Sequence, residues 1–233
     1  MLIPLTRETF EQMIPVIATG PQYSYVWGKW RDFLRRLLIS LVIVVTLWII
    51  GLLMGKTGES LKLLLYFIGG LYWFWSPVYV ASVRNNTYRR YPYAGFWRGK
   101  VLDVFITEEL INEEQRANKF GELEIIENRE RRINVEVGDR EGFRVTIQAP
   151  IKRSYKPIAR GQVAEMLILS KQPELERIDK ITDIYLPQFD LWVGDYPFLR
   201  RDYFRVISSE LGGNPNRDRP SRPPNAQVRK RLR

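Results

Sequence analysis

The chain has 233 residues, 36 Lys and Arg against 26 Asp and Glu, a mean hydropathy of −0.25, and neither cysteine nor histidine. That composition excludes disulfides, thiolate nucleophiles and imidazole metal ligands, and it removes the commonest general base. The net charge of +10 is concentrated rather than spread: residues 212–233 carry seven Arg or Lys against one Asp, whereas residues 103–127 carry eight acids against two bases.

Thr6 to Ala18 reads as an amphipathic helix, with Thr6 as N-cap and Phe10, Met13, Ile14 and Ile17 on one side. Gly20-Pro21 ends it. Tyr23, Tyr25, Trp27 and Trp30, beside Lys29 and Arg31, then have the composition of a membrane interface. Leu37–Met54 is 18 residues without a charge, and Leu63–Val83 is 21 more, interrupted only by Pro77. Crossing about 30 Å of hydrocarbon takes about 20 helical residues, so both stretches are long enough. The short link Gly55–Ser60 can join only antiparallel neighbours, which predicts a transmembrane hairpin of segments 37–54 and 61–83. Two buried core helices are the alternative, but the remaining residues could not supply a core of that size.

Basic residues flank the hairpin at Lys29, Arg31, Arg35 and Arg36, and again at Arg84, Arg89, Arg90, Arg98 and Lys100. Because basic flanks resist translocation, both termini are expected on the cytoplasmic side. Tyr66, Gly69, Tyr72, Ser76 and Tyr79 recur at helical spacing and define an expected face for partner helices. The bland account is that this stripe packs on the first span. Trp73 and Trp75 lie deeper and are the candidate contacts for chlorophyll or carotenoid. Pro77 is expected to kink the second span near its exit.

Arg84 to Leu102 mixes its five bases with Tyr88, Tyr91, Tyr93, Phe96 and Trp97. This mixture suits single-stranded nucleic acid, yet directly after a span it reads better as a lipid-headgroup collar of Arg84, Arg89, Arg90, Arg98 and Lys100. From there the pattern has period two. Val101–Ile106, Leu123–Ile126, Ile133–Val137, Phe143–Ile147, Val163–Leu169 and Phe189–Val193 are strand candidates, and the third and fourth form a hairpin about residues 138–142. Glu108–Lys119 is expected to be a short helix or polar loop. Asp202–Leu211 reads as a closing helix capped by Asp202, with Phe204, Ile207 and Leu211 inward. The soluble part, residues 84–211, is therefore expected to be mainly β, a small OB-like or SH3-like barrel with some helix. Residues 1–36 form the amphipathic lead-in, and residues 212–233 a disordered basic tail.

The sequence contains no Walker loop, dinucleotide fingerprint, G-x-S-x-G or metal-spaced cluster. Gly95, Gly99 and Gly121 are too isolated to cradle phosphate, and Glu108, Glu109, Glu113 and Glu114 read as a solvated face. A non-enzyme is the expectation, with no cofactor, metal or catalytic residue assigned.

Leu5–Gly20, Tyr25–Ser40 and Ser76–Asp103 resemble small two-span membrane proteins of cyanobacteria and chloroplasts, some loosely labelled as phosphate-transporter permeases. The resemblance implies a photosynthetic, thylakoid setting and carries over no catalytic motif. A permease would need a path that two spans cannot enclose, and neither span is expected to contain an internal charge or a half-helix break of the kind transport sites use. The sequence thus points to a non-enzymatic accessory or assembly factor of a membrane complex, with lipid and subunits of a complex such as a photosystem as partners. A small transporter subunit, or a membrane-tethered nucleic-acid or ribosome binder, are the alternatives.

Overall fold

A computed structural model describes residues 1–54, 59–117 and 123–211. The expected tail, most of the link between the apolar segments, and residues 118–122 lie outside the described residues.

Helix α1 (Arg7–Met13) begins where Thr6 accepts a hydrogen bond from the Thr9 amide at 3.3 Å. Its Phe10 and Met13, with Ile14 just after it, are buried, but Ile17 is exposed because the helix has already ended. Gly20-Pro21 therefore does not stop this helix. It opens the next one, α2 (Gly20–Trp27), where a proline in the first turn sacrifices no hydrogen bond.

Helix α3 (Trp30–Met54) starts earlier than the uncharged run and is unbroken. Its Trp30–Leu53 stretch is long and apolar enough to cross a membrane, and only 6% of its most apolar window is buried. At 1.5 Å per residue it spans about 36 Å.

The second apolar segment differs from expectation. It forms α4 (Glu59–Gly70) and α5 (Tyr72–Arg89), bent by 70° at Leu71. The bend lies at Gly69-Gly70-Leu71 rather than at Pro77, which is buried within α5. Paired glycines have the poorest helix propensity after proline, and kinks favour such sites. Tertiary contact also requires glycine here. A Cβ on Gly69 would sit 2.4 Å from Ile43 Cγ2, so α4 can approach α3 this closely only without one. Gly69→Val should push α4 off α3 and cost about 1–3 kcal/mol. Gly70→Ala, whose new methyl group would meet Val44 Cγ2 at an ordinary 3.6 Å, should be tolerated. Thermal melting of the two variants in detergent would compare them.

The rest is one antiparallel sheet, ordered β4-β3-β2-β5-β7-β8, with β1 added to β2 and β6 to β5. Its strands are β1 (Leu2–Pro4), β2 (Tyr93–Ala117), β3 (Leu123–Gly138), β4 (Arg144–Pro150), β5 (Val163–Ser170), β6 (Lys180–Ile181), β7 (Ile184–Leu186) and β8 (Leu191–Val193). The predicted hairpin is present in register, with Val135 opposite Ile147 and Val137 opposite Val145. Where six strands were expected, the sheet has eight among the described residues, and among these no pairing joins the path's two ends, β4 and β8. Residues 108–117 are neither helix nor loop. They extend β2 and pair with β3 as far as Ala117 opposite Leu123. Beyond Thr107 and Arg131 these two strands pair, among the described residues, only with each other, a ribbon roughly 35 Å long.

Strand parity sorts the core. Trp97, Val101, Ala164, Met166 and Ile168 join Val135 and Val137 on one face, closed by Tyr155 from a 3₁₀ turn (Arg153–Tyr155). Ala94, Phe96, Leu167 and Leu169 face the other way and receive Phe10, Met13 and Ile14, together with Phe204 and Ile207 of α6 (Arg201–Leu211). Helix α6 begins one residue before the predicted cap, which leaves Asp202 in its first turn. Strand β5 is buried at every position, which is why its sequence shows little alternation. Its one acid, Glu165, accepts from Ser208 Oγ at 2.5 Å and lies 3.6 Å from Arg98.

Candidate functional site

The bend leaves backbone groups without helical partners, and in apolar surroundings each would cost several kcal/mol. Side chains close two of them. The Trp73 amide donates to Ser40 Oγ at 3.1 Å, and Trp75 Nε1 donates to the Ile68 carbonyl at 2.9 Å. Outside the bend, Phe67, Ile68, Leu71 and Trp75 line an open groove of about 450 Å³ with no polar lining.

The five residues expected to share one face are divided by this bend. Tyr66 and Gly69 lie on α4 and turn toward α3, the tyrosine hydroxyl 3.3 Å from where a Gly51 Cβ would be. Tyr72 is half-buried, Ser76 is buried, and only Tyr79 is well exposed. The break therefore removes the single continuous face, and most of the stripe packs within the chain. Trp73 stacks edge-on with Trp27 and Phe33, at 6.1 and 5.7 Å between ring centroids. Trp75 is flanked by Tyr72 and Tyr79, at 5.3 and 6.1 Å.

The basic collar is divided as well. Arg89 donates to the carbonyls of Glu11 and Ile14 and to the Glu11 carboxylate, tying α5 to α1. Arg98 is held against Glu165. Arg84 lies over the rings of Tyr196 (4.2 Å), Phe198 (5.5 Å) and Tyr25 (5.9 Å). Arg90 and Lys100 remain exposed.

Sequence reasoning missed a buried polar site, the junction of α2 and α5 with the segment between β8 and α6. Gln22 is wholly buried there. It accepts from Asn85 Nδ2 at 2.8 Å and from the Thr19 amide at 3.0 Å, and it donates to the Pro197 carbonyl at 2.9 Å. Tyr25 donates to Asp195 at 3.1 Å, and Arg132 holds the other oxygen of that carboxylate at 3.0 Å. Behind them Asp183 is 3% exposed. Burial, only partly opposed by backbone amides and by the charge of Arg201, raises its pKa to about 7. Burial likewise pushes the Tyr196 hydroxyl up to about 12, so it stays protonated. An isolated Asn, Gln or Asp gives no periodic signal; only the repeated aromatics at 196 and 198 hinted at this packing.

Among the described residues no group of three or more Asp or Glu could hold a metal ion. The fold and these sites define a mainly antiparallel β protein with a helical lead-in that contains one helix of membrane-crossing length. The chain matches, over residues 3–218, the family described as "Family of unknown function (DUF8619)", and it belongs to that family. No curated protein and no solved structure matches it.

Proposed function

We propose that this protein is a membrane-anchored, non-enzymatic accessory or assembly factor of a membrane protein complex. The observation that carries the reading is the 6% burial of the apolar window of α3. A soluble core helix would be mostly covered, so α3 needs lipid or partner helices around it. Helices α4 and α5 return beside it as a bent second span, with both termini on the cytoplasmic side. The outer surface of this pair, with Phe67, Phe74, Tyr79 and Val80 exposed, is offered to partner helices. The β2–β3 ribbon, which exposes Leu110, Leu123 and Ile125 among its charges, is suited to holding a soluble subunit. The thylakoid setting, a photosystem partner and any chlorophyll or carotenoid contact rest on the resemblance and on Trp73 and Trp75 as sequence features.

Gentle detergent extraction of the tagged chain from its native host tests this directly. Membrane subunits should co-purify, and an absorption spectrum would register any pigment. Recovery of the chain alone and colourless, or from the aqueous fraction without detergent, would sink the reading. One observation favours a second reading, the small transporter subunit: the 70° bend is a helix break of the kind transport sites use. Its apolar groove, and the closing of the Trp73 amide and the Ile68 carbonyl by side chains of this chain, weigh against it. Solute uptake into vesicles containing only this chain would reverse that judgement.

A further inference from the structure

Between α2, the 3₁₀ turn, β8 and the start of α6 lies a cavity of about 270 Å³. The side chains lining it include several buried polar groups that close no hydrogen bond among the described residues. These are the Tyr155 hydroxyl, Trp192 Nε1, Arg201 Nε and the Asp183 carboxyl, whose oxygens have the backbone amides of Phe198 and Leu199 nearby but outside hydrogen-bond geometry. Each such group left unmatched costs about 1–3 kcal/mol, so their gathering around one space calls for an occupant. Lys152 and Arg201 stand over the rings of Tyr155 and Trp192, at 5.8 and 5.5 Å, and among the described residues neither forms an ion pair. The second acid at the cavity, Asp195, is already taken by Arg132 and Tyr25.

The unmatched set is thus three donors and one acid, Asp183; with that acid protonated, donors outnumber acceptors, and two of the lining side chains, Lys152 and Arg201, are cationic. An ammonium ligand does not fit, because the chain's own cations already cover those two aromatic faces. What the site lacks is a negatively charged group that accepts several hydrogen bonds at once. We propose that this cavity binds a tetrahedral oxyanion, a phosphate or sulfate group, held by Arg201, Lys152, Tyr155 and Trp192. The group can be a free anion or part of a lipid headgroup, since α2 lines the cavity and leads directly into α3.

Asp183 sets the pH dependence. Protonated, it is a further donor; ionised, it repels the anion. The charged and titratable groups around it are Tyr25 on α2, Arg84 and Tyr88 on α5, Lys152 and Tyr155 at the turn, Asp195 and Tyr196 after β8, and Arg201 on α6. Burial places the pKa of Asp183 itself near neutrality, at about 7.

The test uses the full chain in detergent, with inorganic sulfate because that anion does not itself titrate in this range. At about pH 6, sulfate should raise the melting temperature and change tryptophan fluorescence saturably, beyond what chloride does at equal ionic strength. Arg201→Gln, and separately the exposed-site variant Lys152→Gln, should weaken the response about tenfold. At about pH 8 the wild-type response should fade, while Asp183→Asn should keep it. In vesicles of uncharged glycolipid the sulfate response should persist. Its loss on adding phosphatidylglycerol would identify the headgroup as occupant, and its retention the free anion. Identical responses to sulfate and chloride, or full responses in both the Arg201→Gln and Lys152→Gln variants, would overturn the proposal.

Discussion

Phe204→Ala should destabilise the β domain by about 3–5 kcal/mol, the largest loss expected from any single side chain considered. Phe204 is fully buried and brings α6 against both sheet and neighbouring rings, with centroids 5.4 Å from Trp192, 5.7 Å from Phe96 and 5.9 Å from Tyr185. Truncation would leave a hole among rigid rings and strand backbone, none of which can collapse into it cheaply. Exposed Phe105 on β2 supplies the contrast, and Phe105→Ala should change stability by only about 0.5 kcal/mol or less. Urea unfolding in detergent, followed by near-ultraviolet circular dichroism, would measure both. Equal effects would mean that α6 is not part of the core.

The second large effect concerns pH. Folded Asp183 has a pKa of about 7 against an ordinary 3.8, so between these values the folded chain holds a proton that the unfolded chain has lost. Stability should therefore fall as pH rises from about 4 to about 7 and remain low above that, by on the order of a few kcal/mol. Asp183→Asn keeps the shape and removes the charge. Its melting temperature should be nearly flat across this window and should exceed that of the wild type at about pH 8. A variant less stable than wild type at that pH would show that the ionised carboxylate is favourably held.

Several parts of this fold were legible in the residues. The N-cap at Thr6, the register of the 133–137 and 143–147 pair, the apolar strand at 163–169 and the inward Phe204 and Ile207 follow from local pattern. Each repeats every two or every 3.6 residues, or marks a helix start. Glu108–Lys119 misled because eight acids in 25 residues resemble a solvated loop. The chain instead places residues 108–117 in a ribbon where the carboxylates of Glu108 and Glu109 meet Arg131 and Arg132 across the strands, at 3.2 and 3.0 Å. The bend at Leu71 was hidden because hydropathy counts Gly69 and Gly70 as harmless. The junction cleft escaped because its members come from positions as far apart as Gln22, Asn85, Asp183 and Arg201.

From its residues alone, this chain is divided into an apolar helical part and a period-two β part, because hydropathy and strand alternation are properties of neighbouring positions. Tertiary structure alone decided that the second apolar segment turns through 70°, that Arg89 and Arg98 serve internal carbonyls and a buried acid, and that Asp183 is sealed from water. Those outcomes depend on what packs on a group from distant parts of the chain, and burial or an ion pair has no local pattern to announce it.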